Sequence, residues 1–156
     1  MRKIARVRTL IVLLVPVVFL AACAAAPVGK ADRASPSVRA GETFTLPLGG
    51  SVHIGDTNYS LIFDAVREDS RCARGVTCVW EGNARVSLTL REAVPGKVPG
   101  TLYEVVDETL DLNTSGRFEQ RRKIPAGFIE LRGLAPQPPI EDPKAYVATL
   151  IIEAGK

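Results

Sequence analysis

The chain is poor in the side chains that do chemistry. Its 156 residues hold one histidine, one tryptophan, one methionine and three cysteines, and aromatics make up only 6%. His53 is therefore the one imidazole that a Ser-His-Asp hydrolase could use as its base. Ser51, Ser60, Asp56 and Asp64 lie near it in sequence, but no G-x-S-x-G elbow accompanies them. A lone histidine beside a turn is more often a surface or half-buried residue. No C-x-x-C pair is present, so the usual redox spacing is missing. Zinc takes four ligands at familiar spacings, and too few cysteines and histidines remain to supply them. Glu141 and Asp142 have no EF-hand pattern around them. Carboxylates are plentiful, yet nothing in the spacing singles out a catalytic pair. No catalytic residue, metal or cofactor is expected, and so few aromatics do not suggest a carbohydrate-stacking platform.

Long apolar runs are also missing, apart from one near the start. Residues 1–8, MRKIARVR, carry Arg2, Lys3, Arg6 and Arg8 and no acid. Residues 10–20, LIVLLVPVVFL, form an apolar stretch too short for a membrane span, which needs about 20 residues. Small residues follow. A basic segment, a short apolar segment and a small-residue cleavage site make an export signal over residues 1–22. Without it, 16 basic residues face 17 acidic ones. The net positive charge of the whole chain thus belongs to the signal, and no case remains for a nucleic-acid partner.

The residues LAAC, 20–23, resemble the bacterial lipobox. That resemblance implies cleavage before Cys23, attachment of a diacylglycerol to its thiol, and acylation of the new amine with palmitate or a similar chain. Two or three acyl chains hold a protein stably on a bilayer where one does not. The competing reading is an ordinary signal cut near Ala24 or Ala26, with Cys23 a bystander. Ala24 is not the aspartate that resembles an inner-membrane retention signal. The expected location is the cell envelope, on the outer membrane facing the periplasm if the cell has one. If Cys23 carries lipid, Cys72 and Cys78 remain as a pair in an oxidising compartment.

Residues 23–41 are rich in Ala, Pro, Ser and Gly and read as the lipidated cysteine and a flexible tether. Residues 42–156 show no convincing helical period. They read instead as short strands between turn signals. TFTLPL sets Phe44, Leu46 and Leu48 on one face. YSLIFDAV does the same for Tyr59, Leu61, Phe63 and Ala65, and AYVATLIIE for Tyr146, Ala148, Leu150 and Ile152. The longest alternation runs over residues 78–90. It puts Cys78, Trp80, Gly82, Ala84, Val86, Leu88 and Leu90 on one side, unless Gly82 and Asn83 bend the chain and break the parity. The fold expected is all-β: a single antiparallel β-sandwich or small barrel of about 7–8 strands.

Residues 69–82, DSRCARGVTCVWEG, gather two cysteines and the only tryptophan. Asp69, Ser70, Arg71 and Cys72, then Cys78, Trp80 and Gly82, resemble a motif of bacterial lipoproteins and exported β-domains: Asp-Ser-Arg-Cys, a short loop, then Cys-x-Trp-x-Gly leading into a strand. Leu134, Pro136 and Pro138, followed by Tyr146, Ala148 and Leu150, are similar to a second shared pattern. Ala73 departs from the first motif, where a proline commonly follows the first cysteine. The resemblance spans roughly residues 43–153. It implies a fold and no established activity.

Taken residue by residue, a Cys72–Cys78 bridge would stabilise its small loop by about 2 kcal/mol. Asp69 and Arg71 are expected to order the loop through hydrogen bonds or an ion pair. Trp80 is expected to pack against the cystine or the core, and with Gly82 to continue the buried parity of the strand. Arg71 and Arg74 are candidates to face a partner from the loop tip. The function expected is a membrane-anchored, non-enzymatic binding or envelope-accessory module, with an envelope protein as its possible partner. The alternatives are an inhibitor offering the 72–78 loop to an envelope protease, and a small envelope hydrolase.

Overall fold

The computed structural model describes residues 36–97 and 103–155. Nine strands build two facing sheets. One sheet has the order β1-β3-β4-β5-β6: β1 (Ser37–Val38), β3 (Ser51–Ile54), β4 (Tyr59–Asp69), β5 (Ala84–Pro95) and β6 (Tyr103–Asn113). The other has the order β2-β9-β8-β7: β2 (Thr43–Pro47), β9 (Val147–Glu153), β8 (Gly127–Ala135) and β7 (Arg121–Ile124). All pairings are antiparallel except the short parallel β1–β3 ladder. A short 3-10 turn, Pro143–Ala145, sits before β9. The fold is an open β-sandwich, and the barrel alternative is set aside.

Alternation explains why these segments bury one face. Ala84, Val86, Leu88 and Leu90 of β5 point inward against Leu61 and Phe63 of β4 and Leu110 and Leu112 of β6. From the facing sheet come Leu46, Ile129, Leu131, Ala148, Leu150 and Ile152, and Tyr146 caps this set. In β4 the parity breaks between Phe63 and Ala65, where the register shifts by a bulge. Ala65 therefore leaves the inner face and Val66 packs against the core in its place.

Two sequence expectations need correction. The strand expected from residue 78 begins only at Ala84. Gly82 adopts φ +70°, a left-handed conformation that interrupts a strand, so the inward parity does not extend back to Trp80 and Cys78. The span read as tether also ends earlier than residue 41. Ser37–Val38 forms a ladder with His53–Ile54, and Val38 is buried. Cys23 and the signal segment lie outside the described residues.

The strand directions define two ends. β4 finishes, β5 starts and β6 finishes at one end, where the connections 70–83, 114–120 and 136–146 gather. We call it the cystine end. β1 runs parallel to β3 and antiparallel to β4, so the chain enters the sandwich travelling away from the cystine end.

Candidate surface at the cystine end

Cys72 and Cys78 form a disulfide, with Cα atoms 5.9 Å apart. The loop around it is held by more than the bridge. The backbone N–H of Cys72 donates to the Glu81 carbonyl (3.1 Å), that of Arg74 to Pro138 (2.7 Å), and that of Ser70 to Asn83 (2.7 Å). The Ser70 hydroxyl also donates to the Asn83 carbonyl at 3.0 Å. Two strand ends are thereby closed into a narrow neck.

Beneath the neck lies a polar latch. The Arg71 guanidinium meets the Asp69 carboxylate with two prongs, Nε to Oδ1 at 2.8 Å and Nη2 to Oδ2 at 2.7 Å. Both side chains are only 10% exposed. The same guanidinium donates to the carbonyls of Leu134 and Pro136, and the Tyr146 hydroxyl donates to Asp69 Oδ2 at 2.9 Å. A two-pronged pair whose remaining donors and acceptors are satisfied holds its geometry firmly. Burial alone would raise the Asp69 carboxyl, but hydrogen bonds from Arg71 and Tyr146, together with the charge of Arg71, hold it below the usual carboxylate range. Burial and the bond to Asp69 raise the Tyr146 hydroxyl.

This latch ties together the two sequence patterns noted above. Asp69 and Arg71 belong to the first, Leu134, Pro136 and Tyr146 to the second. The expectation that Asp69 and Arg71 order the loop agrees with this geometry. The expectation that Arg71 faces a partner does not, because its guanidinium is consumed inside the latch. Arg74 is exposed.

Gly82 has a steric role. A β-carbon there would lie 1.9 Å from the Ser70 carbonyl oxygen and 2.6 Å from its carbon. Only glycine fits between the two strands of the neck.

Trp80 is corrected from core to surface. It is 67% exposed and its neighbour Val79 is 88% exposed; Val76 and Phe118 are also exposed. Arg117 stands over the indole ring at 5.5 Å from its centroid. A shallow cleft of about 270 Å³ is lined by Trp80, Phe118 and Arg117 together with Glu68, Glu81 and Ser115. Ser115 is buried and its hydroxyl donates to the Glu81 carboxylate. Asn83 braces the same wall, donating to Asn113 Oδ1 (2.8 Å) and accepting from the Ser115 N–H (3.1 Å). The polar groups behind the cleft thus satisfy one another. What faces outward is aromatic and aliphatic, with charge of both signs: Arg117 over the indole, and Glu68 and Glu81, both exposed, along the cleft. Sequence reading missed Phe118 and Arg117, since nothing in residues 113–127 marks an interface.

The hydrolase residues are not gathered here. His53 Nδ1 and Ser60 Oγ are 3.1 Å apart, a cross-strand pair on the outer face of β3 and β4. Asp64 instead accepts from the Thr89 hydroxyl at 2.7 Å. Among the described residues, no group of three or more His, Cys, Asp or Glu side chains is placed to hold a metal ion.

Comparison with protein families, with curated proteins and with solved structures finds no match to this chain. The resemblance to exported β-domains rests on its motifs alone.

Proposed function

We infer that the protein is a lipid-anchored, non-enzymatic binding module of the cell envelope, and that it binds through its cystine end. The observation that carries this is the placement of Trp80. A large aromatic side chain two-thirds exposed to water, beside Val79, Val76 and Phe118, is uncommon on a free surface and marks interaction sites. Tryptophan and arginine are also the residues most enriched where binding energy concentrates.

The scaffold under this patch supports the same reading. A disulfide, a buried ion pair and a glycine-only neck fix the loop before anything binds. A fixed loop loses little conformational entropy on association. Export follows from residues 1–22 and anchoring from the lipobox at Cys23, both read from sequence.

Photocrosslinking in cells tests the binding face. A photoreactive residue at Val79 is expected to trap a neighbour, and one at Asp56, in the turn at the opposite end, is not. Equal yields at the two positions would remove the cystine end as the binding surface.

A further inference from the structure

The chemistry of the exposed patch narrows what it meets. Its exposed apolar groups are Val76, Val79, Trp80 and Phe118, with Arg117 over the indole, Arg74 within the disulfide loop, and the carboxylates of Glu68 and Glu81 along the cleft. Among the described residues neither guanidinium has a carboxylate partner, although most other arginines at this end do: Arg71 with Asp69, Arg85 with Glu68, Arg122 with Glu119. Tryptophan beside aliphatic groups and arginine is the composition that settles at the lipid–water interface. There the ring sits at headgroup depth and cations meet lipid phosphates.

Chain direction agrees. The Pro36 carbonyl accepts from His53 N–H, which places Pro36 level with Leu61, and β1 then runs away from the cystine end. From Leu61 to the end of β4 at Asp69 is about 25 Å at strand rise. The span of roughly 13 residues from Cys23 to Pro36 reaches at most about 45 Å when drawn out. An anchor at Cys23 can therefore sit in the same bilayer surface that the cystine end touches.

We propose that the cystine end docks onto the lipid–water interface of the bilayer that holds the anchor, with Trp80 and Phe118 entering the headgroup layer and Arg117 and Arg74 meeting lipid phosphates. The inference rests on the reading of this end as the binding face. Glu141 and Asp142 line the neighbouring groove beside Arg74. Their charge, like that of Glu68 and Glu81 along the Trp80 cleft, opposes contact with anionic lipid, so the apolar side chains of Trp80 and Phe118 carry the docking and the arginines offset the carboxylates.

Trp80 is the only tryptophan, so its fluorescence reports this contact alone. The full chain is reconstituted through its anchor into vesicles of phosphatidylethanolamine and phosphatidylglycerol. Trp80 emission is expected to shift to shorter wavelength. Lipids brominated near the headgroup should quench it more than lipids brominated near the chain end. The unanchored Cys23→Ser chain is measured in parallel by vesicle sedimentation. Adding Trp80→Ala should weaken its partitioning roughly tenfold or more. Adding Arg117→Glu should weaken it roughly fivefold or more, and only where phosphatidylglycerol is present. Unshifted, unquenched emission from the vesicle-bound chain would overturn the proposal. If Val79 then crosslinks to a protein, the binding face stands with a protein occupant; if it traps nothing, the face itself is lost.

Discussion

Gly82 and Ser70 touch backbone to backbone: a β-carbon on Gly82 would stand 1.9 Å from the Ser70 carbonyl oxygen. The contact closes the neck of the cystine loop, and the left-handed φ of Gly82 turns the chain into β5. Gly82→Ala must push the strands apart and also adopt a strained backbone. It should cost about 3 kcal/mol or more, read as a lower urea midpoint by circular dichroism. A midpoint unchanged from wild type would contradict the steric role.

The latch gives a second prediction. Asp69→Ala leaves the Arg71 guanidinium buried without its counter-charge, and should cost about 3 kcal/mol. Tyr146→Phe removes one donor to Asp69 and should cost about 1 kcal/mol.

The latch also has a pH signature. The Asp69 carboxyl is held below its ordinary value, so the folded state favours the ionised form. Its contribution is complete above the unfolded-state value of about 4, and is lost as pH falls through the lower folded value. The difference in stability between wild type and Asp69→Asn should therefore shrink below about pH 4. A difference that holds constant through that window would show that the carboxylate charge is not what the latch uses.

Reduction of Cys72–Cys78 should lower stability by about 2 kcal/mol, the loop-entropy value for so small a ring. The sandwich should remain folded, because hydrogen bonds from Cys72, Arg74 and Arg71 tie the loop to its neighbours independently. Unfolding on mild reduction at neutral pH would mean that the bridge carries far more than its entropy.

Much of the sandwich was legible because strand burial follows a period of two. Leu46, Leu61, Phe63, Leu88 and Leu150 fall on the faces their alternation predicts. The failures arose where that period stops. Gly82 ends the alternation, so Trp80, two residues earlier, turned out exposed. The bulge after Phe63 moved Ala65 out and Val66 in. Arg71 looked like a surface cation because the carbonyls that hold it, Leu134 and Pro136, lie more than sixty residues away in sequence. The placing of Phe118 and Trp80 along one cleft is likewise a tertiary arrangement that no local pattern encodes.

The central claim is that Trp80 exists for association and not for packing. The direct measurement is the Trp80→Ala chain, followed by urea unfolding under circular dichroism alongside crosslinking yield from Val79. An exposed side chain predicts a stability within about 0.5 kcal/mol of wild type and a crosslinking yield reduced severalfold. A loss of about 3 kcal/mol or more, the cost of deleting a buried tryptophan, or an unchanged yield would contradict it.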